Sequence, residues 1–276
     1  MIPAAFEYER AESADHALQL LQQFGEEAKI LAGGHSLLPL MKLRLAQPSA
    51  LVDVGRLTEL SYVRDDGDSI AIGALTPYED VHFNDLVKQE CGIVAHASGE
   101  VGDPQVRHRG TIGGSVAHGD PASDIPSVMV ALEADFVVHS SSGDRTIKAT
   151  DFFKSIFEVD LDPQELLTEI RVPKLNGAGW SYQKFSHRAQ DWATVGVAAV
   201  AKGDGQAAVG LTSMGETPLR ARAVEEALAS GASIEDASDQ AAEGTSPVSD
   251  PLGSAEYRRE MVKVFTRRAL EEALSR

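Results

Sequence analysis

The sequence has a single cysteine, Cys91, among its 276 residues. One thiol cannot form a disulfide within the chain, which is typical of proteins in a reducing compartment. It also cannot hold an iron–sulfur cluster, because such clusters normally need four cysteine thiolates. The eight histidines are scattered, with no HExxH motif and no Cys/His cluster at metal-ligand spacing, so we predict no metal site.

Basic residues are also scarce: 25 lysines and arginines stand against 42 acidic residues, for a formal net charge of −17. Such a surface repels phosphate backbones and anionic lipid, which argues against nucleic acid and membrane-surface partners. A buried phosphate site is compatible with this charge, because local backbone amides rather than net charge form such a site.

Long apolar runs are missing as well. No stretch of about eighteen apolar residues occurs, so we predict no membrane span. Residues 1–10 have neither a basic start nor an apolar core, and we expect no secretory signal there. With the single cysteine, these features predict a cytoplasmic protein. The length suits two small domains or one compound domain.

Hydrophobic periodicity predicts a small βαβ-like unit in residues 1–55. An amphipathic helix is expected over 12–24, with Ser13 as its N-cap and Gly25 just after its end. A strand at 29–32, a short helix at 37–45 and a strand at 50–54 follow.

An antiparallel α/β arrangement is predicted for the next part, residues 56–176. The expected elements are a strand at 69–73, a helix at 78–86, an apolar stretch at 127–139 leading into a hairpin that closes at 145–148, and a strand at 166–173 that Pro173 stops.

Residues 176–179, Asn-Gly-Ala-Gly, are the predicted joint between domains 1–176 and 177–276. The second domain is predicted to contain strands followed by helices, which is an α+β unit. Its strands are expected at 180–186, 193–201 and 209–214, and its helices at 222–230, 233–243 and 254–275.

Two loops each carry a glycine pair followed by a small hydroxyl residue. They occupy residues 31–39 and 110–126. Glycines let backbone N–H groups come close to a diphosphate, and serine hydroxyls add donors. Neither loop is a GxGxxG or a P-loop, and a lone Gly-Gly pair is more often a simple turn. Two such loops together can close on one pyrophosphate from opposite sides.

The paired loops, the Gln105-Val106-Arg107 segment and the Lys184–Asp191 stretch resemble the FAD-binding subunits of molybdenum hydroxylases. The resemblance covers nearly the whole chain, and within this family it is nearest to the carbon monoxide dehydrogenase type. It implies an α+β fold, in which a two-part PCMH-type FAD-binding domain precedes a C-terminal domain of a small antiparallel sheet plus helices.

The resemblance also implies which residues bind FAD. The expected cofactor-binding residues are Ala32, Gly33, Gly34, His35, Ser36, Leu37, Val101, Thr111, Ile112, Gly113, Gly114, Ser115, Ala117, Asp124, Leu161, Lys184, Asp191 and Trp192. The first loop would bind the pyrophosphate, and the second would wrap the diphosphate and the nearby ribityl or ribose.

Several of these residues have a structural interpretation beside the functional one. Asp124 would accept a hydrogen bond from a sugar hydroxyl, or it would cap a helix. Lys184 would lie at the flavin edge, where a cation stabilises the reduced ring, or it would be a solvated strand residue. Trp192 would stack on the isoalloxazine, or it would be a core residue. His35 is the attachment point in covalent relatives, but this branch implies non-covalent FAD.

The resemblance implies an electron-transfer subunit that takes electrons from iron–sulfur clusters of a partner and passes them to an external acceptor. A small iron–sulfur subunit, a large molybdopterin subunit and a dimer of heterotrimers would complete the complex. The alternatives are a self-contained PCMH-type flavin oxidase or dehydrogenase and a non-enzymatic nucleotide-binding module. The sequence leaves open the substrate, the electron acceptor and the interface residues.

Overall fold

The first helix shows how local sequence signals start and stop an element. In the computed structural model, which describes residues 2–275, helix α1 spans Ala14–Phe24. The Ser13 hydroxyl oxygen accepts a hydrogen bond from the His16 amide at 3.0 Å, and Gly25 ends the helix at a positive φ of 76°. The N-cap, the C-terminal end and the apolar face of α1 therefore agree with the helix predicted from the sequence.

The N-terminal part forms a three-stranded parallel sheet in the order β1-β3-β2. Its elements are β1 (Glu7–Arg10), β2 (Ala28–Leu31), α2 (Leu37–Lys42) and β3 (Ala50–Asp53). Strand β1 was not predicted, because all four of its residues are exposed and show no apolar alternation. Helix α2 ends three residues earlier than expected, and Arg44 follows it with a φ of 64°.

The middle part is built on a five-stranded antiparallel sheet in the order β4-β5-β10-β6-β7. Its strands are β4 (Val63–Asp66), β5 (Ser69–Gly73), β6 (Asp135–Ser140), β7 (Gly143–Lys148) and β10 (Leu166–Pro173), with a small hairpin of β8 (Phe153–Ser155) and β9 (Glu158–Val159). Strand β10 ends at Pro173, as predicted.

Seven helices belong to this part, and several were missed or misplaced. They are α3 (Tyr78–Phe83), α4 (Asp85–Glu90), α5 (Gly92–Glu100), α6 (Pro104–Arg107), α7 (Ile112–His118), α8 (Asp124–Leu132) and α9 (Ala149–Phe152). The expected helix over 78–86 breaks at Asn84, whose side chain accepts from the Val87 amide at 3.1 Å and so caps α4. Helix α8 takes the first half of the apolar stretch at 127–139, and β6 takes the second.

The C-terminal part is a four-stranded antiparallel sheet in chain order, followed by helices. It contains β11 (Trp180–Phe185), β12 (Val195–Gly203), β13 (Gln206–Thr212), β14 (Leu219–Arg220), α10 (Arg222–Ala229), α11 (Ile234–Ser238) and α12 (Ala255–Ser275). The helix predicted over 233–243 becomes α11 and a 3₁₀ turn, Asp239–Ala242.

This sheet is buried on both faces and joins two of the three hydrophobic cores. Along β12, Val197 and Ala199 pack into the core beneath α12, whereas Ala198 and Val200 pack into the core of the middle part. The alternation follows the two-residue period of a strand. The two sides of the 176/177 joint thus share one core.

Close packing between β13 and α8 depends on a glycine. A Cβ on Gly210 would overlap the backbone carbonyl of Ser127 in α8. Because α8 begins at Asp124, this contact also holds a predicted site residue in place.

No helix within residues 2–275 combines the length and the apolarity needed to cross a bilayer. The same residues contain no group of three or more histidine, cysteine or acidic side chains placed to hold a metal ion.

We expect Gly210→Val to destabilise the protein by roughly 3 kcal/mol or more, because the new side chain forces two backbones apart. Urea unfolding measures the change. Gly244→Ala is the control: Gly244 has open space around it, and the substitution should cost only about 1 kcal/mol through its positive φ. Equal effects of the two substitutions would contradict the close-packing argument.

His139 links the first two parts of the chain. Its Nδ1 lies 2.6 Å from Asp144, and its Nε2 lies 2.9 Å from Asp15 on α1. The hydrogen bond to Asp144 raises the pKa of His139 most, and the hydrogen bond to Asp15 raises it further. These interactions therefore stabilise the folded state fully below the unfolded-state pKa of His139, which is about 6.5. The stabilisation is lost as the pH rises through the higher pKa of the folded state.

We expect the free energy of unfolding to fall modestly between about pH 6 and pH 8. Denaturant unfolding across this range measures the slope, and His139→Gln should reduce it. An unchanged slope in the variant would assign the pH dependence to other groups. The effect is modest because Asp15 and Asp144 are both exposed.

Candidate functional site

A single large cavity collects the predicted residues from all three parts of the chain. Its volume is about 750 Å³, in the upper part of the usual range for ligand sites. The predicted residues that line it are Ala32, Gly33, Gly34, His35, Ser36, Leu37, Val101, Thr111, Gly114, Ser115, Ala117, Asp124, Leu161, Lys184, Asp191 and Trp192. Residues 150 positions apart in sequence therefore meet in one place.

The first glycine loop carries a row of backbone amides without acceptors. From Gly33 to Leu37, no amide donates a hydrogen bond to another group of residues 2–275. The chain turns through Gly34 at a φ of 75°, a conformation that few residues other than glycine adopt. Consecutive N–H groups at such a turn form a concave anion site, and helix α2 adds its N-terminus.

Gly33 has a second reason to be glycine. A Cβ at this position would overlap the carbonyl oxygen of Arg109, one residue before the second glycine loop begins. The two loops are therefore packed backbone against backbone. This contact brings Gly110 and Thr111 into the wall of the same cavity.

The second glycine loop differs from the first, because the amides of residues 112–115 already have acceptors within the protein. It forms the first turn of α7, with Thr111 as N-cap. The Gly114 amide donates to the Thr111 hydroxyl oxygen at 3.1 Å, and the Ser115 amide donates to the Thr111 carbonyl at 3.1 Å. This segment therefore offers side-chain hydroxyls and a glycine surface to a ligand.

Ile112 and Gly113, which were also predicted to bind the cofactor, are buried and are not among the residues that line the cavity. Their amides donate to the carbonyls of Thr76 and Ala74 at 3.0 and 2.9 Å. A Cβ on Gly113 would overlap Ala74. Gly113 is thus glycine because α7 packs tightly on the end of β5, and nothing in the sequence distinguishes this reason from phosphate binding.

Asp124 and Lys184 form a buried ion pair at the cavity wall. The Lys184 Nζ lies 2.8 Å from Asp124 Oδ2, and each side chain is only 5% exposed. Lys184 also donates to the Glu100 carbonyl at 2.9 Å. Lys184 is therefore neither a solvated strand residue nor an uncompensated cation, since Asp124 neutralises it.

The other Asp124 oxygen, Oδ1, accepts a hydrogen bond from the Tyr182 hydroxyl at 2.6 Å. Burial raises the pKa of the Asp124 carboxyl, although Lys184 and Tyr182 both favour its ionised form. Ser123 rather than Asp124 occupies the N-cap position of α8, so the helix-cap interpretation of Asp124 was wrong.

Behind this pair, a polar network that sequence reasoning missed runs into the protein. The Ser127 hydroxyl lies 2.6 Å from the Thr212 hydroxyl and donates to the Asp124 carbonyl at 3.0 Å. Tyr182, Ser127 and Thr212 are all buried. No sequence motif marks them, because their strands and helix meet only in the folded chain.

Trp192 lies at the mouth of the cavity and is 65% exposed. This exposure rules out the core interpretation of the residue. Beside it, the Arg188 Nε lies 3.1 Å from both carboxylate oxygens of Asp191. The Arg188 guanidinium lowers the pKa of Asp191, which keeps this carboxylate ionised near the mouth.

The β8–β9 hairpin and the segment after it form another wall, which includes Leu161. The Phe157 ring lies 5.1 Å from that of His118, which also lines the cavity. Burial lowers the pKa of His118, so it is neutral near pH 7. Arg145 anchors the segment through Glu165, with Nε–Oε1 and Nη2–Oε2 distances of 2.8 and 2.7 Å.

Val101 is held at the cavity by Arg107, from the segment that carried part of the resemblance. The Arg107 Nη1 donates to the Val101 carbonyl at 3.0 Å, while its Nε bonds Glu79 at 3.0 Å. Arg107 thus fixes the backbone of a lining residue, and its own side chain is not among the lining groups.

Comparison with known proteins identifies relatives for the whole chain. Residues 4–175 match the family model of the FAD binding domain in molybdopterin dehydrogenase, and residues 180–273 match that of the CO dehydrogenase flavoprotein C-terminal domain. The carbon monoxide dehydrogenase medium chain of Hydrogenophaga pseudoflava is 40% identical over 285 residues, covering 100% of this chain and 99% of the relative. The glyceraldehyde dehydrogenase medium chain of Sulfolobus acidocaldarius is also 40% identical, over 99% of both chains.

A solved structure shares the fold along the entire chain. It is the carbon monoxide dehydrogenase from Hydrogenophaga pseudoflava that lacks the Mo-pyranopterin moiety of the molybdenum cofactor. The TM-score is 0.96 and the identity 42%, with 100% of this chain and 99% of that chain covered.

We expect strong coupling between Asp124 and Lys184 in a double-mutant cycle. Lys184→Met or Asp124→Leu alone should cost about 3–5 kcal/mol, because each leaves a buried charge without its partner. The double substitution should cost less than the sum by at least about 1 kcal/mol. Urea unfolding of the flavin-free chain measures the stability of the parent, the two single variants and the double variant. Additive effects would contradict a buried ion pair.

Proposed function

Since the chain belongs to the flavoprotein family of molybdopterin dehydrogenases, of the carbon monoxide dehydrogenase type, we propose that it is the FAD-carrying electron-transfer subunit of a multi-subunit molybdenum hydroxylase. The observation that carries this proposal is the row of free amides from Gly33 to Leu37 on the wall of a large cavity. Such a cradle fits the diphosphate of a dinucleotide, and the hydroxyls of Thr111 and Ser115 lie in the same cavity.

The residues divide into binding groups and supporting groups. Bound FAD supplies a centre that takes up and releases electrons singly or in pairs. The residues from Ala32 to Leu37 bind its diphosphate, and Gly114 allows close approach of the ligand to α7. Ile112 and Gly113 hold α7 against β5 from behind. Val101, Ala117 and Leu161 supply apolar wall.

The Asp124–Lys184 pair contributes to the charge of the cavity wall. Because the lysine is neutralised by its partner, the pair presents a dipole rather than a net positive charge. Each Asp124 oxygen has already accepted one hydrogen bond and retains capacity for a sugar hydroxyl. Trp192, with Asp191 beside it, covers one end of the cavity as a planar aromatic surface suited to an isoalloxazine.

The remaining cofactors belong to partner subunits. One cysteine cannot ligate an iron–sulfur cluster, and that cysteine is buried. We therefore assign the clusters to a small subunit and the molybdenum cofactor to a large subunit, in a dimer of heterotrimers. We place the complex in the cytoplasm, where a lone thiol stays reduced. One similar relative is named for carbon monoxide and another for glyceraldehyde, so the substrate is selected outside this chain.

A self-contained flavin oxidase is the alternative function, and it needs a pocket that brings a substrate to the flavin. A second cavity of about 730 Å³ lies around residues 173–179 and 200–205. It shares no lining residue with the first cavity, which weighs against a substrate pocket of this kind.

The absorbance spectrum of the tagged chain, purified from its native host, tests the proposal. We expect flavin bands with an added iron–sulfur shoulder, and yellow colour released into the supernatant on acid precipitation. Colour that stays in the pellet would mean a covalent flavin, with His35 as the attachment point. Flavin bands without any iron–sulfur absorbance would favour the self-contained oxidase.

Trp192 offers a direct probe of flavin position. Titrating the flavin-free chain with FAD should quench tryptophan fluorescence, because an indole stacked on a flavin loses its emission. Trp192→Phe should remove most of this quenching and leave flavin affinity within about tenfold. Trp192→Phe should also leave stability within about 0.5 kcal/mol of the parent, since the residue is exposed. Full quenching in the variant would assign it to Trp180, the other tryptophan.

A further inference from the structure

Trp192 lies in the loop of residues 186–194 that joins β11 to β12, which we name the Trp192 loop. Neither the amide nor the carbonyl of Trp192 forms a hydrogen bond within residues 2–275, and the residue is 65% exposed. The base of the loop is closed, because the Thr194 amide donates to the Phe185 carbonyl at 2.7 Å. The position of the indole therefore depends on the groups that hold its neighbours.

Ser213, the residue directly after β13, holds the neighbour on one side. Its hydroxyl donates to the Ala193 carbonyl at 2.7 Å, and Ala193 is buried. The Ser213 amide donates to the Pro121 carbonyl at 2.9 Å. A single residue therefore ties the Trp192 loop to the segment that leads into α8.

Both of these tied segments contribute to the cavity wall. Ser123 and Asp124 line the cavity from the segment that leads into α8, and Asp191 and Trp192 line it from the loop. Ser213 itself is not among the lining residues. It therefore lies outside the site and fixes two parts of the wall relative to each other.

The backbone of Ser213 draws attention to its hydroxyl. Its φ is 63°, in the left-handed region that favours glycine. The bond to Ala193 is the one hydrogen bond that the Ser213 side chain forms within residues 2–275, and a glycine could not form it. A residue held in a disfavoured conformation for the sake of one contact indicates that the contact has a function.

The preceding residue extends the same anchor to Asp124. The Thr212 hydroxyl lies 2.6 Å from the Ser127 hydroxyl, which donates to the Asp124 carbonyl at 3.0 Å. Strand β13 lies between β12 and β14 in its sheet, so its end is a well-supported reference point. Through Thr212 and Ser213, this strand end holds the parts of the wall that carry Asp124 and Trp192.

We propose that Ser213 is a positioning residue for the flavin site: its hydroxyl fixes the Trp192 loop to the segment that carries Asp124, so that the indole covers the isoalloxazine in one orientation. This inference rests on the proposed function, because it needs a flavin ring at Trp192. Without the hydroxyl, the base of the loop stays closed, since Phe185 and Arg258 both still hydrogen bond to Thr194. The part of the loop that carries Trp192 then gains freedom.

Three substitutions at Ser213 separate the hydroxyl from the backbone conformation. Ser213→Ala removes the hydroxyl and keeps the disfavoured backbone, whereas Ser213→Gly removes the hydroxyl and relieves the backbone. Ser213→Thr keeps a hydroxyl on a β-branched residue that this conformation disfavours further. We expect Ser213→Gly to unfold at a higher urea concentration than Ser213→Ala, and Ser213→Thr to unfold at a lower concentration than the parent.

Tryptophan emission of the full chain at saturating FAD measures the position of Trp192, and Trp192→Phe, measured alongside, gives the contribution of Trp180. The unquenched fraction of Trp192 emission should rise about fivefold in both Ser213→Ala and Ser213→Gly, because one net hydrogen bond shifts a population by about that factor. Ser213→Thr should keep the fraction of the parent. FAD affinity should stay within about tenfold in all three variants, since the free amides of residues 33–37 are unchanged.

Ser238→Ala is the matched control. The Ser238 hydroxyl also donates to a backbone carbonyl, that of Glu235 at 2.9 Å, and Ser238 does not line the cavity. This variant should leave the unquenched fraction unchanged. An unchanged fraction in Ser213→Ala and Ser213→Gly, or a fraction that follows the ranking of urea midpoints, would overturn the positioning role and leave the proposed function intact.

Failure of the proposed function has a different signature, which is a parent chain that binds no FAD. Amide exchange in the flavin-free chain then decides whether Ser213 holds the loop. The Asp191 amide donates to the Arg188 carbonyl at 3.0 Å, and it should exchange faster in Ser213→Ala and Ser213→Gly than in the parent. Equal exchange in all three chains would overturn the inference, as would FAD binding to the parent without quenching of Trp192.

Discussion

The cavity exists because the backbone at Gly33 lies directly against the carbonyl of Arg109. That contact leaves no room for a side chain and locks the parallel sheet of the first part onto the helices of the second. Gly113 and Gly210 also allow close packing, because neither position leaves room for a Cβ. Gly113 lets α7 pack on the end of β5, and Gly210 lets α8 pack on β13. These contacts help to join the hydrophobic cores of residues 2–275, and the cavity that we propose binds FAD takes its lining from all three parts of the chain.

The electrostatics of the first glycine loop differ from those of the acidic surface. Free amides at the first glycine loop offer partial positive charge without any cationic side chain. Of the two lysines that line the cavity, Lys29 and Lys184, the second is neutralised by Asp124 at 2.8 Å. A chain with a large negative charge can therefore bind an anionic dinucleotide, because backbone dipoles at short range outweigh a distant screened surface charge.

Sequence patterns predicted the elements that carry local signals: α1 through its Ser13 cap and Gly25, β10 through Pro173, and the hairpin of β6 and β7. Sequence patterns failed for features that depend on tertiary contacts. Strand β1 exists only because β3 pairs with it, and Gly113 serves packing although its motif resembles a phosphate loop. The lining residues came from a family resemblance, and Tyr182, Ser127 and Thr212 required the fold, since no spacing in the chain brings them together.

We infer that the amides of the first loop, and not those of the second, hold the diphosphate of FAD. Hydrogen–deuterium exchange resolved to single amides, with and without FAD, tests it most directly. We expect the amides of Gly33 to Leu37 to exchange fast in the flavin-free chain and to become strongly protected by FAD. Amides 112–115 should be protected in both states, because they already donate to protein acceptors. Unchanged exchange at 33–37, with FAD-dependent protection only at 112–115, would overturn the assignment of the diphosphate to the first loop.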